Sequence, residues 1–161
     1  MNLLRNCEVT NSGQRSYSNI GFLLLAVVVS EIYGEADIET IMMDEVIRPL
    51  GLTDTCFCID KTNEQRFFPG HNKDLFLHKS VDFNLYNLVG GLKSTTRDMS
   101  RYMSYLLGES PDQSMNALIG TALSRENETW ALREHSGERV MYHFGHVAGC
   151  KSGLLFSRNL S

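Results

Sequence analysis

Two residues near the start of the chain, Tyr17 and Asn19, have types and spacing that suit acyl-transfer chemistry. They lie two positions apart, so an extended segment would point the phenol and the amide the same way. A phenol has an ordinary pKa of about 10 and is a weak base alone, but a neighbouring lysine ammonium favours the phenolate. That phenolate can accept a proton from a serine hydroxyl, and the amide can hold a lysine or a substrate carbonyl. The alternative is a turn with an aromatic anchor.

The second candidate is His146, which follows Gly145 at the end of a predicted strand. A small residue at a strand edge lets an extended substrate approach and pair with the backbone. A histidine there can bind a substrate carboxylate or share a proton. The alternative is a surface histidine in a glycine-flanked turn. His143 should point the other way on the same strand, and we interpret it as structural.

The cysteines raise the question of a metal site. Cys56 and Cys58 would share one face of a strand, and His71 or His78 could complete a ligand set. Zinc sites usually combine a Cys-x2–4-Cys pair with a second close pair, and the chain has neither. Free, partly buried thiols are therefore the favoured interpretation, and we expect neither a metal nor a cofactor.

Composition narrows the function classes. The chain has 161 residues, enough for one domain with a core, and a net charge of −4 with scattered basic residues. That charge does not suit nucleic-acid binding. The most apolar run, residues 20–29, is shorter than the roughly 20 residues that span a bilayer, and a polar segment precedes it. We therefore expect neither a membrane span nor a signal peptide there, and interpret the run as a core helix.

The helices follow from apolar spacing and end signals. The apolar run predicts a first helix over 19–33, buried on nearly every face and stopped by Gly34, although its valines leave a strand as the competing interpretation. A second helix over 38–47 has Asp37 as its cap and Pro49 beyond its end. A less regular pattern predicts a helix over 115–123.

Another helix is predicted from Thr95 to about Leu107, with Gly108 closing it. Thr95 and Asp98 have the spacing of a capping box, in which aspartate replaces the usual glutamate. The residues expected on its inner stripe are Met99, Tyr102, Met103, Leu106 and Leu107.

The pattern then changes to strands, predicted at 129–133, 140–144 and 153–157, with Ser136-Gly137 as a hairpin turn. A short extended piece is predicted at 56–59. Helices followed by antiparallel strands indicate an α+β fold. We expect residues 1–161 to form a single partial domain, with a helical lobe at about 17–123 and sheet strands at about 126–158.

Four segments, taken in order, resemble the serine β-lactamase and penicillin-binding protein family, in its class C, DD-peptidase and esterase branch. They are Tyr17-Ser18-Asn19 with the apolar helix, the PLGLTDT segment 49–55, the GGLKSTTRDM segment 90–99 and the Gly-His-Val-Ala-Gly segment 145–149. The resemblance covers about residues 10–158. It implies a β-lactamase/transpeptidase-like fold that is incomplete, with the helical lobe and part of the antiparallel sheet.

The resemblance also implies roles. Tyr17 would match the family's general base and proton shuttle, and Asn19 the amide that contacts lysine and substrate. His146 would match the first residue of the third motif, which binds the carboxylate side of the substrate. The N–H of Gly149 would match one oxyanion donor. Ala148 stands where the family prefers glycine, and its methyl group would crowd a substrate backbone.

The family's nucleophile belongs to a Ser-x-x-Lys element, which occurs nowhere in the 161 residues. The nearest approximation, residues 12–15, ends in arginine, whose guanidinium cannot act as a base. We therefore expect a relative of enzymes that act on a β-lactam, a D-Ala-D-Ala peptide or a small ester, inactive as the isolated chain. The alternatives are a non-catalytic relative that binds a ligand or a protein, and an unrelated α+β interaction module.

Expected partners follow from the same interpretation. A small-molecule or peptide substrate would bind if the cleft is complete. An uncovered sheet edge would favour self-association.

Overall fold

The computed structural model of the chain describes residues 12–14, 16–78, 87–124 and 130–157. The helices are α1 (Asn19–Ile32), α2 (Ile38–Met42), α3 (Thr96–Leu107) and α4 (Gln113–Ser124). The π-helical turn Met43–Ile47 extends α2, Glu64–Arg66 forms a 3₁₀ turn, and Asn87–Gly91 forms a second π-helical turn. The strands are β1 (Ala131–His135), β2 (Glu138–Val147) and β3 (Cys150–Phe156). They form an antiparallel sheet in the order β1-β2-β3, so the predicted α+β fold is confirmed.

Helix α1 is confirmed, and the competing strand interpretation is wrong. The Oγ of Ser18 accepts a hydrogen bond from the N–H of Gly21 at 3.1 Å and starts the helix. Gly34, with φ of 74°, lies in the left-handed turn that follows. The expected burial on every face is wrong, because no residue of α1 is buried and the side chain of Leu25 is 59% exposed. Among the described residues, α1 packs mainly against α2 and the turn 87–91, which do not bury any of its side chains.

Helix α2 begins where the sequence predicts. The carboxylate of Asp37 accepts hydrogen bonds from the backbone N–H and the hydroxyl of Thr40, each at 3.0 Å. The helical path then continues through the π-helical turn to Ile47, which agrees with the predicted end. Ile47 is also the first member of the main buried cluster, which contains Ile47, Leu50, Leu52, Phe57 and Tyr105.

Helix α3 is also confirmed, with one correction at its start. The Oγ1 of Thr95 accepts a hydrogen bond from the N–H of Asp98 at 3.2 Å, and Gly108, with φ of 79°, ends the helix. Only this half of a capping box forms, because the Asp98 carboxylate accepts hydrogen bonds from the segment 54–55 instead. The predicted inner stripe omitted Tyr105, which is buried beside Leu106. Leu106 and Phe156 form a second buried pair that joins α3 to the sheet.

The hairpin between β1 and β2 turns at Ser136 and Gly137, as predicted, with φ of 54° and 82°. Strands β2 and β3 run longer than the sequence indicates. Glycines in this region suggest a loop, but Ala148 and Gly149 make a two-residue turn that pairs Val147 with Cys150. Residue 129, the predicted start of β1, lies outside the described residues.

The short extended piece predicted at 56–59 is limited to one antiparallel bridge between Cys56 and Lys93. Helix α4 confirms the prediction over 115–123 and begins two residues earlier. Within the described ranges, no helix combines the length and apolar character needed to cross a bilayer.

Candidate active site

The Tyr17-Ser18-Asn19 motif lies at the start of α1 and beside β2. Ser18 is extended, and Asn19 is the first residue of the helix. The side chain of Tyr17 is 67% exposed. The centroid of its ring lies 6.2 Å from that of Phe22, in the same helix, and 6.2 Å from that of His143, on β2. The predicted base is therefore accessible and close to the strand that carries His146.

His146 is exposed on β2, opposite Lys151 of β3. Successive side chains of a strand alternate between faces, so His143 and His146, three positions apart, lie on opposite faces of the sheet. The ring of Tyr17 thus meets β2 at His143 rather than at His146. The structure therefore brings the phenol to the predicted strand, but at His143, three positions before the predicted histidine.

Among the described residues, the edge of β2 at 143–147 on the side of β1 has no strand partner, and this stretch is the open edge. Strand β1 pairs with β2 only as far as Ala131 opposite Tyr142, so residues 143–147 have no strand partner on that side among the described residues. Two-residue turns close on hydrogen-bonded pairs, so Val147 directs its backbone groups to β3. By alternation, Phe144 and His146 direct their N–H and C=O groups to the open side.

The turn at Ala148 and Gly149 is constrained on both sides. Both residues have left-handed backbone conformations, with φ of 46° and 75°. A Cβ on Gly149 would collide with the backbone of His71, and a Cβ on Gly70 would collide with the carbonyl of Ala148. This close packing of loop 70–71 is a structural reason for glycine at 149, independent of any oxyanion contact. The left-handed φ also gives a physical reason why glycine would suit position 148 better than alanine.

The turn 87–91 borders the same region and contacts both α1 and β2. The amide Nδ2 of buried Asn87 donates a hydrogen bond to Glu39 Oε1 at 3.3 Å, which ties the turn to α2. A Cβ on Gly90 would lie 3.1 Å from Cγ2 of Val147, so this turn approaches the end of β2 closely. The start of α1, the turn 87–91 and the open edge of β2 together border the candidate site.

A groove with a volume of about 880 Å³ runs between α3 and the sheet. Met99, Met103 and Leu107 line its helical side, and Trp130 and His143 line its sheet side. His143 belongs to this groove and also contacts Tyr17, so the groove adjoins the candidate site. A volume in this range is typical of small-molecule pockets.

The two landmark segments 49–55 and 90–99 bond to each other. The Oδ2 of Asp98 accepts hydrogen bonds from the N–H of Asp54 at 2.8 Å and the hydroxyl of Thr55 at 2.7 Å. Thr55 also shares a hydrogen bond of 2.8 Å with the hydroxyl of Ser94. Asp98 is only 2% exposed, so its side chain serves as a buried junction. The hydrogen bonds between these two segments therefore hold α3 against the core. They join the segments to each other and not to Tyr17.

An ion pair closes the outer side of this junction. A guanidinium nitrogen of Arg66 lies 2.7 Å from the carboxylate of Asp54. The hydrogen bond from Arg66 is the main reason that the pKa of Asp54 falls below its ordinary value of 3.8. The same contact raises the pKa of the Arg66 guanidinium.

The Cys56 thiol is not an activated nucleophile. Burial raises the pKa of the Cys56 thiol, and the nearby Lys93 ammonium opposes that effect. A higher pKa leaves less thiolate at neutral pH. Asn63 Nδ2 also contacts Cys56 Sγ at 3.5 Å and the carbonyl of Cys58 at 3.3 Å. Among the described residues, no three histidine, cysteine or carboxylate side chains are grouped to hold a metal ion.

The sequence model of the Beta-lactamase family matches residues 8–156, so the chain belongs to the Beta-lactamase family. It is 27% identical over 164 residues to putative beta-lactamase-like 1 of Homo sapiens, covering 92% of this chain and 33% of the relative. The chain spans about a fifth to a third of the first curated relatives that it matches.

Solved structures support the same fold. A class C beta lactamase from Rhodobacter sphaeroides superposes with a TM-score of 0.82 and 18% identity, over 98% of this chain and 56% of that chain. A D-alanine carboxypeptidase from Burkholderia cenocepacia superposes with a TM-score of 0.63 and 16% identity, over 91% and 43%. The resemblance stated from the four sequence segments is therefore confirmed at the level of family and fold.

Proposed function

We propose that this chain carries the proton-transfer and substrate-binding part of an acyl-transfer site of the serine hydrolase type. The observation that carries the proposal is the Tyr17 ring lying against β2, at the accessible start of α1. Tyr17 is the proton shuttle, and the Asn19 amide holds a lysine or the substrate carbonyl. His146 binds the carboxylate side of the substrate, and the N–H of Gly149 donates to the developing oxyanion.

The open edge of β2 supports this assignment of substrate binding. Phe144 and His146 direct backbone donors and acceptors to the side that β1 leaves free. An extended acyl group that pairs with them would lie along the strand and end at the Ala148-Gly149 turn. A β-lactam, a D-Ala-D-Ala peptide and a small ester all present a carbonyl that could be placed in this way. Those three are the substrate classes to test.

The isolated chain is proposed to be inactive in acyl transfer. The reaction needs a nucleophile that forms a bond to the carbonyl carbon, and the 161 residues contain no Ser-x-x-Lys element. Tyr17 is assigned to proton transfer, so it does not replace that element. The chain can then bind a substrate without turning it over.

Incubation with a fluorescent penicillin tests the inactivity. An intact class C β-lactamase serves as the positive control, and mass spectrometry reports covalent adducts. The expected result is no adduct on this chain. A stoichiometric adduct would contradict the claim, and its site would identify a nucleophile. Sequencing the gene upstream of Met1 provides a second test, because an in-frame Ser-x-x-Lys would supply the missing group.

Binding without turnover tests the site itself. Titration with an acyl-D-Ala-D-Ala peptide, followed by NMR, should show saturable binding at β2. His146→Ala should weaken binding about ten- to a hundredfold, since a hydrogen bond to a charged group is worth about 1.5–3 kcal/mol. His135→Ala, on β1, is the matched control and should leave the affinity unchanged. Equal losses in both variants, or no binding at all, would count against the proposed site.

A further inference from the structure

The ring of Tyr17 makes two contacts with other rings. Its ring meets Phe22 and His143, each with centroids 6.2 Å apart. Phe22 belongs to the same helix as the motif, so this contact cannot fix where the start of α1 lies relative to the sheet. The contact with His143 can, because His143 belongs to β2.

His143 is itself oriented from the core. The ring of Trp130 meets the imidazole nearly edge-on, at 84° and 6.2 Å between centroids. Trp130 in turn meets Phe156 edge-on, at 87° and 4.9 Å. Phe156 is only 5% exposed and packs with Leu106 of α3. Four rings, from Phe156 through Trp130 and His143 to Tyr17, thus connect a buried anchor with an exposed phenol.

We propose that His143 is the positioning residue of the candidate site, the side chain that holds the Tyr17 phenol against β2. The inference rests on the proposed role of Tyr17 as proton shuttle. Aromatic pairs in edge-on or tilted arrangements attract each other beyond the area they bury. A phenol that must accept a proton at a fixed point needs such support, because a misplacement of 1 Å can cost about a hundredfold in rate. His143 acts through Tyr17 and not on the substrate.

The proposal also gives the two histidines of β2 different roles. His146 lies on the opposite face of the sheet from His143, so one strand carries two histidines with separate tasks. His143 holds the phenol beside β2, and His146 remains available to the ligand. A purely structural His143 would support Trp130 and have no effect on Tyr17.

Fluorine NMR of the chain labelled with 3-fluorotyrosine distinguishes these roles. The Tyr17→Phe variant assigns the Tyr17 resonance by its loss. In His143→Ala we expect that resonance to move toward the position of free fluorotyrosine and to narrow, because the ring becomes mobile. His143→Phe keeps a ring at the position and should restore most of the shift. His135→Ala, another exposed strand histidine, is the matched control and should cause no change.

An unchanged Tyr17 resonance in a folded His143→Ala chain would overturn the proposal. If that variant does not fold, the reverse measurement decides: Tyr17→Ala should move the imidazole carbon resonances of His143, and no movement overturns the inference. Neither experiment measures acyl transfer. The positioning role can therefore fail while penicillin labelling and peptide binding still support the proposed function, and the reverse also holds.

Discussion

Replacing Asp98 by alanine removes the buried junction between α3 and the segment 49–55. Its Oδ2 accepts hydrogen bonds from the N–H of Asp54 at 2.8 Å and the hydroxyl of Thr55 at 2.7 Å. Without the carboxylate, the N–H of Asp54 loses its partner, and the hydroxyl of Thr55 keeps only its hydrogen bond with Ser94, at a place where Asp98 is 2% exposed. An orphaned buried donor costs about 1–3 kcal/mol and a lost hydrogen bond to a charged group about 1.5–3 kcal/mol, so the free energy of unfolding should fall by about 2.5–6 kcal/mol.

A loss of this size is large for a single domain, whose whole stability is about 5–15 kcal/mol. Urea denaturation followed by circular dichroism measures it, with the transition midpoint compared at constant slope. Asp112→Ala is the matched control. The Asp112 carboxylate also accepts several hydrogen bonds, but all come from Ser114 and Met115 nearby and all are exposed. That variant should lose only about 1 kcal/mol, as for a helix cap.

The comparison between the two aspartates is decisive. Equal destabilisation would refute the reasoning, because it would mean that burial and sequence separation add nothing to the Asp98 bonds. Asp98→Asn gives an intermediate test. Its amide oxygen can still accept from Thr55, so its loss should lie between those of wild type and Asp98→Ala.

Three further predictions concern the core, the turn and acid stability. Leu106→Ala should lower the free energy of unfolding by about 2–5 kcal/mol in urea denaturation, because this residue of α3 is 2% exposed and packs against Phe156 of the sheet. A loss below about 1 kcal/mol would contradict that packing. Ala148→Gly should raise the free energy of unfolding by about 1 kcal/mol, since a φ of 46° suits glycine. The control Ala131→Gly, in β1, should lower it. A change of the same sign in both variants would be inconsistent with backbone strain at Ala148. The lowered pKa of Asp54 contributes stability that is present above its ordinary value of 3.8 and is lost as pH falls through the folded value. Arg66→Gln should therefore lower Tm at pH 6 and converge with wild type in strong acid, and a difference that grows on acidification would reverse the sign of the argument.

Local signals in the sequence predicted the elements well, because each depends on residues a few positions apart. Asp37 and Thr95 cap α2 and α3, and Ser136-Gly137 turns the hairpin between β1 and β2, as expected. The type of α1 was also predicted correctly, since helix formation depends on its own residues and on Gly34. Its burial was not, because burial depends on which other elements cover it.

Contacts between distant residues account for the rest. Asp98 has the spacing of a capping residue, yet its carboxylate bonds to a segment more than 40 positions away. His143 was interpreted as structural, because alternation along β2 says which face it occupies and not that the Tyr17 ring lies there. Only the predicted antiparallel hairpin with Trp130 nearby offered a hint of an aromatic row. The roles of Tyr17, Asn19, His146, Ala148 and Gly149 stay predictions for the measurements above.

The uncovered flank of α1 has a practical consequence for anyone who prepares this chain. The α1 residues Ile20, Leu25 and Val28 are each more than half exposed, so this helix presents a wide apolar surface to water. An exposed apolar surface of this kind binds other apolar surfaces, and it promotes aggregation as the protein concentration rises. Solution measurements on this polypeptide, including NMR, therefore need the lowest workable concentration, with light scattering recorded beside every titration.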